Sequence, residues 1–254
     1  MTEQLFTRRE SMKTFTYGGK SDSLIFVEDG FTFPSMSKQV QYGTTSHASY
    51  RQRKRSILEP FTLSIPIMAF RKGVSRQVLN ERLNDLLYSE EPKILKFEDT
   101  NWYLIGEFNG PYEIPNTING LTSFEIDFTS QYSVKFYDEE KVQTASKTVT
   151  ISTKSQLPTI PLIELTGLTG TDVQVSISGD SFRRIRLTGN IPSQLTIDIE
   201  NEEIYETSTG LNRINLLRYD SAFEDFRIKD KDVVVLTNAS GTAKAKLTYK
   251  ELLL

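Results

Sequence analysis

The chain has 254 residues and a net charge of −3, with 37% hydrophobic and 25% charged residues, including 15 Phe and 11 Tyr. That many aromatic side chains can bury a core, which excludes a wholly disordered chain. The lack of Cys and the single His, His47, exclude disulfides, thiolate metal sites and most histidine chemistry. We therefore expect a globular protein that is not an enzyme and has no cofactor and no metal site.

Length and apolar patterning set the expected organisation. The chain is longer than the roughly 100–150 residues of one ordinary core, so we expect two domains. Its longest uncharged apolar stretch, Pro60 to Phe70, is about half of the roughly 20 residues that span a membrane. The N-terminus has no continuous apolar segment of the secretory kind. We expect no membrane segment and folding in a cytoplasm.

The first half is predicted to be β structure with one helix. Between Phe61 and Ile67 apolar residues alternate with polar or small ones, which predicts a strand, and Pro66 indicates a sheet edge or a bulge. From Val74 to Tyr88 the apolar residues recur at three-and-four spacing. Ser75 is placed to cap this helix and Pro92 to end it.

Two further patterns complete the first half. KILKF at 93–97 and WYLIGEF at 102–108 flank a short polar turn and predict a hairpin. Strict alternation of apolar and polar residues then predicts one long strand over 121–137 with one solvent-exposed face. That face is formed by Glu125, Asp127, Thr129, Gln131, Ser133 and Lys135.

The segment from Lys38 to Glu59 has no helical pattern, so it is either a β-hairpin arm or a functional loop. It contains His47, which has no partner residue nearby in the sequence and is predicted to be a solvated loop residue. It also contains the basic residues Arg51, Arg53, Lys54 and Arg55, the three arginines at the spacing of one strand face. Because charges are nearly balanced in this half, a solvated or protein-contacting arm is favoured over nucleic-acid binding.

A polar stretch at 138–147 is predicted to separate two domains, 1–139 and 140–254. In the second, short alternating runs with Gly, Asn and Pro between them predict an antiparallel sandwich or jelly roll. The acidic stretch Ile197 to Glu206 lacks the ligand spacing of a calcium loop and is predicted to be a solvent-facing strand edge. The runs begin at Thr148, Pro161, Val173, Phe182, Leu195, Leu211, Val233 and Ala243.

The order of these elements resembles one known family. LSIPIM at 63–68, VLNERLNDLLYSEEPKILKFED at 78–99, WYLIGEF at 102–108 and LTSFEIDFTSQY at 121–132 are similar to the N-terminal domain of distal tail proteins of long-tailed, non-contractile bacteriophages. PLIELTG and LTIDIENEEIYE resemble the family's C-terminal galectin-like sandwich. The resemblance implies a mainly β protein with one helix: a sandwich-like, ring-forming first domain with an arm, and a galectin-like or jelly-roll second domain.

The resemblance also implies a function. Such a protein is a structural virion component at the distal end of the tail, assembled in the host cytoplasm. It forms a hexameric ring that continues the tail tube and leaves a channel for DNA ejection. The implied partners are other copies of the chain, the major tail tube protein, the tail-tip protein that bears the lysin or fibre, and receptor-binding proteins. DNA passes through the channel without specific binding, and no membrane is involved.

Two groups of charged residues are candidates for interfaces within this assembly. Those of the arm are expected to contact protein or solvent, and those of the long strand to face the channel or a neighbouring subunit. A near-neutral β chain with a protruding arm suits a cyclic ring, whose subunits meet through unlike surfaces. The candidates are Arg51, Arg53, Lys54 and Arg55 in the arm, and Glu125, Asp127 and Lys135 in the strand.

The alternative function is a carbohydrate-binding module that recognises host-wall sugars through the second domain. A carboxylate-based hydrolase is disfavoured because no tuned acid/base pair stands out. Sugar sites stack their ligand on an aromatic ring, but neither Trp nor His occurs beyond residue 140. Several of the remaining aromatic residues have core spacing, so we expect no sugar binding. The aromatic residues available for stacking in this domain are Phe182, Tyr205, Tyr219, Phe223, Phe226 and Tyr249, and only several of them have core spacing.

Overall fold

The computed structural model describes residues 12–28, 38–43, 52–58, 60–71, 73–115, 120–223, 225–237 and 242–254, with 38–43 and 52–58 described by their backbone alone. The chain forms two compact units that divide between Lys135 and Phe136, with Leu254 grouped with the first. The sequence placed this division at 139/140. The polar stretch predicted as a linker is mostly strand, since Lys135–Ala145 is one continuous β element.

The first unit is antiparallel sheet with one α-helix among its described residues. Its strands pair in the order β1-β3-β6-β9-β8, after which β7 pairs with β8 and β2 with β7. The elements are β1 (Met12–Lys13), β2 (Phe15–Tyr17), β3 (Ile25–Glu28), β4 (Lys38–Gly43), β5 (Gln52–Leu58), β6 (Thr62–Phe70), α1 (Arg76–Leu87), β7 (Lys93–Phe97), β8 (Trp102–Phe108) and β9 (Leu121–Ser130).

The helix and the hairpin are those that the sequence predicted. Ser75 caps α1, because its side chain accepts a hydrogen bond from the backbone N–H of Val78 at 3.2 Å. The leucines at three-and-four spacing are buried, as the periodicity requires. Strands β7 and β8 pair antiparallel, with Lys93 opposite Gly106.

Pro66 was predicted to mark a sheet edge or a bulge, but strand β6 lies between β3 and β9 and its pairing with β9 has no bulge. It pairs with β9 along its whole length, from Thr62 to Phe70. On its other side, β3 pairs only with Ile67, Met68 and Ala69. Pro66 is therefore just outside the stretch paired with β3, where a missing backbone donor is tolerated.

The single long strand predicted over 121–137 is two strands. Strand β9 ends at Ser130, a bend follows, and the next strand begins at Lys135. At the break the Ser130 hydroxyl donates to the carbonyl of Tyr132 at 2.6 Å, and the N–H of Gln131 donates to the carbonyl of Ile105 at 2.8 Å. A serine hydroxyl that bonds the backbone two residues ahead offers the chain a turn in place of a strand.

Aromatic side chains fill the centre of the first unit. The ring centroid of Phe108 lies 5.1 Å from that of Tyr17 and 5.1 Å from that of Phe128, both in edge-to-face geometry. The Tyr17 hydroxyl donates to the backbone carbonyl of Gly106 at 3.1 Å. Burial raises the pKa of Tyr17 to about 12, so this hydroxyl remains a donor at neutral pH.

The second unit is a sandwich of two sheets around one core. One sheet has the order β10-β18-β12-β15-β16 and the other β11-β17-β13-β14, and apolar side chains from both form a single cluster. The strands are β10 (Lys135–Ala145), β11 (Thr148–Thr150), β12 (Leu162–Thr166), β13 (Asp172–Ile177), β14 (Asp180–Thr188), β15 (Gln194–Asp198), β16 (Glu203–Glu206), β17 (Val233–Thr237) and β18 (Lys244–Leu253).

Two predictions for this unit differ from the structure. The run beginning at Leu211 contains a 3-10 turn at Ile214–Leu216, because the Asn212 side chain accepts from the backbone N–H of Ile214 at 2.9 Å. The acidic stretch is a hairpin, since β15 ends at Asp198 and its carboxylate accepts from the N–H of Asn201 at 3.0 Å. Asp198 therefore ends β15, while Glu200 and Glu202 lie in the turn that follows.

The close approach of β8 to β9 generates a prediction at Gly106. A Cβ there would lie 2.1 Å from the carbonyl oxygen of Thr129 and 2.7 Å from the Phe128 ring. We expect Gly106→Ala to lower the free energy of unfolding by about 1–3 kcal/mol, because the backbone must move to make room for the Cβ. Urea denaturation measures this. Gly120→Ala is the matched control, because its Cβ meets no atom within 4 Å, and equal stability of the two variants would contradict the prediction.

Candidate interaction surfaces

The described residues bring together no obvious chemical centre. No three His, Asp or Glu side chains in that part of the chain are grouped to hold a metal ion. Nor is any helix within it long and apolar enough to cross a membrane. His47 lies outside the described residues. The candidate functional residues are therefore considered as surfaces.

The first surface is the exposed side of β6, β9 and the end of β8. On β9, Glu125 and Asp127 are exposed and alternate with the buried Ile126 and Phe128, as the sequence predicted. The Ser64 hydroxyl donates to Glu125 Oε2 at 3.0 Å. We call this surface the acidic face, and it contains neither Lys nor Arg. Its members are Thr62, Ser64, Glu107, Ser123, Glu125, Asp127 and Thr129.

Lys135 does not belong to the acidic face. The alternation of solvent-exposed residues that was predicted for 121–137 ends with β9 at Ser130. Lys135 is the first residue of the next strand, β10. Its Nζ lies 5.1 Å from the centroid of the Trp102 ring, a cation–π arrangement. Burial lowers the pKa of Lys135. The sequence missed this because alternation continues through a bend without marking it.

The second surface is the arm. Strands β4 and β5 pair antiparallel, from Lys38 opposite Leu58 to Gly43 opposite Gln52. Of the two predicted possibilities, a β-hairpin arm or a functional loop, these ranges therefore form a β-hairpin. Within the described chain, neither strand pairs with a third.

The basic residues of the arm fall at an irregular part of this hairpin. Arg53, Lys54 and Arg55 lie in β5, while Arg51 is outside the described residues. Gln41 is opposite Arg55 and Tyr42 is opposite Arg53, which leaves Lys54 as an extra residue in the ladder. The strict alternation that predicted a common face for the arginines is therefore interrupted here.

A third set of charged residues was not predicted. Arg183 of β14 donates to Asp180 Oδ2 at 2.7 Å and to Asp232 Oδ2 at 2.5 Å. It also donates to the carbonyl of Arg227 at 2.9 Å. Asp232 is buried, so this arrangement fixes a charge inside the unit through several hydrogen bonds.

The next two arginines of β14 are paired at the surface. Arg186 makes a two-pronged contact with Asp172 at 2.6 and 2.9 Å, and Arg184 Nη2 lies 3.0 Å from Asp220 Oδ2. The hydrogen bonds from Arg186 lower the pKa of Asp172. Local sequence patterns do not reveal these pairs, because the partners are 14 and 36 residues apart.

The aromatic residues of the second unit divide into two groups. Phe223, Phe226 and Tyr249 are buried, as their spacing predicted. Phe182 and Tyr219 are 83% and 91% exposed, and Tyr205 is half-buried. A large aromatic side chain left in water is a frequent mark of a contact site.

A shallow groove of about 510 Å³ lies beside Tyr219. The Arg218 guanidinium carbon is 5.3 Å from the centroid of the Tyr219 ring. We call this feature the Tyr219 groove. Its other lining residues include Glu202, Ile214, Leu217, Ser221 and Asp225.

Comparison with known proteins identifies the fold. No protein-family model and no curated protein matches the chain. Among solved structures, the Dit hub protein of phage SPP1 superimposes with a TM-score of 0.78 at 14% identity, over 95% of this chain and 99% of that one. The chain has the fold of the SPP1 Dit protein.

A second solved structure gives a weaker match. A chain of the phage P2 baseplate has a TM-score of 0.50 at 12% identity, over 94% of this chain and 98% of that one. The predicted resemblance to distal tail proteins, and the mainly β fold with one helix among the described residues, are confirmed by the match to SPP1 Dit. The galectin-like character of the second unit stays a prediction.

The ion pairs predict acid sensitivity of the second unit. Arginine contacts lower the pKa values of Asp172, Asp180 and Glu206 below their ordinary range near 4. Each pair thus contributes stability above about pH 4, which is lost as the pH falls through the lowered pKa. We expect Asp172→Asn to reduce the melting temperature at pH 7 and to flatten its fall between about pH 4 and pH 2.

Calorimetry at several pH values measures the effect. Glu200→Gln serves as the control, because Glu200 is an exposed carboxylate in the turn after β15. If Asp172→Asn keeps the wild-type stability and acid profile, the Arg186 pair does not stabilise the fold.

Proposed function

We propose that the chain is a structural subunit of the distal end of a bacteriophage tail, a hub between the tail tube and the adsorption apparatus. The observation that carries this proposal is the fold shared with SPP1 Dit over nearly the full length of both chains. The SPP1 protein is described as a paradigm of the hub adsorption apparatus in phages that infect Gram-positive bacteria. The corresponding location of this chain is the virion, at the tail tip.

Within this function, we propose that the first units of six copies close into a ring. The support is the β4–β5 hairpin, whose strands pair with no third strand in the described chain. Unpaired strand edges can bind the edge of a neighbouring subunit, and repeated contacts between unlike surfaces close a cyclic assembly. In this arrangement the basic residues of the arm make protein contacts.

We further propose that the acidic face lines an axial channel for DNA. A channel through which a polyanion slides must not hold it, since each Lys or Arg contact to phosphate adds affinity by releasing counterions. The acidic face offers carboxylates and hydroxyls and no basic group. Repeated around a ring, the acidic face presents DNA with a surface that has no cation to bind its phosphates.

The remaining partners and the absence of catalysis are proposals of the same kind. The ring would contact the tail tube protein on one side and the tail-tip protein with its lysin or fibre on the other, with receptor-binding proteins attached. Catalysis is not expected of it, since the carboxylates with lowered pKa values are held by arginines rather than set opposite a second acid/base group.

The ring proposal predicts a mass close to six times 29.0 kDa in native mass spectrometry of the concentrated protein. Replacing residues 41–55 with a short Gly-Ser turn should reduce this species to single chains, because the contact between copies is lost. Circular dichroism and calorimetry serve as controls that both units remain folded. Rings that persist without the arm would remove it from the interface, and a wild-type chain that stays single at every concentration would contradict self-assembly.

The channel proposal predicts that the ring does not retain short linear duplex DNA at physiological salt in a gel-shift assay. The double variant Glu125→Lys/Asp127→Lys should retain it, with an affinity that falls steeply as salt increases. Glu200→Lys/Glu203→Lys is the matched control, since it makes the same charge change on the second unit. Equal retention by the two variants would show that the acidic face has no special access to DNA.

A further inference from the structure

We propose that Asn109 is a site of spontaneous covalent modification, at which its side-chain amide becomes a carboxylate through a cyclic imide. This inference concerns the border of the acidic face and goes beyond the proposed function. Asparagine is followed by glycine at Asn109–Gly110 and at Asn119–Gly120, and only the first pair lies wholly within the described residues. Asn109 is the first residue after β8.

The reaction needs only the protein and water. The backbone nitrogen of Gly110 attacks Cγ of Asn109, so that a new N–Cγ bond closes the imide ring and the Cγ–Nδ2 bond breaks. The Gly110 nitrogen loses its proton, and Nδ2 gains one and leaves as ammonia. Water then opens the imide at either carbonyl, which gives aspartate or its β-linked isomer. Because the two reacting groups belong to adjacent residues, the attack is unimolecular and needs no binding site.

The peptide bond that takes part is not held by the sheet. The N–H of Asn109 donates to the carbonyl of Asp127 at 2.7 Å, which extends the β8–β9 ladder by one hydrogen bond. Neither the carbonyl of Asn109 nor the N–H of Gly110 has a hydrogen-bond partner in the described part of the chain. The Gly110 nitrogen can therefore turn towards Cγ without breaking a backbone hydrogen bond.

The surroundings of Gly110 leave the reacting atoms accessible. Asn109 and Gly110 are both exposed, so water reaches the imide. Glycine has no side chain to obstruct the approach of its nitrogen to Cγ. A Cβ at Gly110 would lie 3.7 Å from the Tyr112 ring, which is an ordinary contact. The fold thus accepts alanine at this position, while the reaction is favoured by glycine.

The side-chain amide of Asn109 already touches the acidic face. Its Nδ2 donates to Thr129 Oγ1 at 2.9 Å. A single exposed hydrogen bond between neutral groups is a weak restraint on the amide. Because the N–H of Asn109 bonds to the carbonyl of Asp127, the product carboxylate stands beside residues that are already acidic.

The modification adds one negative charge per copy at this border. Like charges on neighbouring strands repel each other, so the end of β8 is expected to be less stable after conversion. In the proposed ring, the channel lining would also become more negative as the particle ages. This last consequence rests on the proposed function, whereas the modification itself does not.

Peptide mapping by mass spectrometry tests the proposal on the full chain, kept folded in mildly alkaline buffer at physiological temperature. We expect the peptide with Asn109 to gain about 1 Da, the difference between an amide and an acid, and to elute as two isomers. Asn201 is the matched control: it is exposed and its amide is bonded to Asp198, but Glu202 follows it. Conversion at Asn109 should be at least about tenfold faster than at Asn201, because only glycine leaves its nitrogen unobstructed.

Gly110→Ala should slow the conversion at least about tenfold for the same reason, with an unchanged melting temperature. Three results would overturn the proposal: no conversion in the folded chain, equal rates at Asn109 and Asn201, or a folded Gly110→Ala protein that converts at the wild-type rate. Ring mass measured on fresh protein tests the hub separately. Conversion in a chain that forms no rings would leave the modification site standing, and rings without conversion would remove only this site.

Discussion

The pairing of β6 with β9 is the constraint on which the first unit depends. Nine consecutive residues, Thr62 to Phe70, each face a partner on β9. Because side chains alternate across a strand, this single register places Ile65 and Phe128 in the core and Ser64 and Glu125 on the acidic face. A slip of one residue would exchange the two faces, so the core and the proposed channel lining are fixed together.

The second unit uses long-range ion pairs where the first uses aromatic packing. Strand β14 carries three arginines, Arg183, Arg184 and Arg186. They pair with Asp232, Asp220 and Asp172, which lie in other segments. Backbone hydrogen bonds from Arg218 to Arg186 and from Ala222 to Arg184 hold the segment after the 3-10 turn against β14, and Tyr219 lies on that segment.

The hub role follows from a fold shared along the chain with SPP1 Dit, and it draws on the arm and the acidic face of the first unit.

Local sequence signals were enough to predict the helix capped by Ser75, the hairpin of 93–108, and the alternation that exposes Glu125 and Asp127. Contacts between distant segments place β6 inside its sheet, bend the chain after Ser130 and leave Tyr219 exposed. Periodicity reports which side chains share a face over a few residues, but it does not report which distant segment pairs with a strand or covers a ring. Those outcomes depend on contacts between segments far apart in the chain.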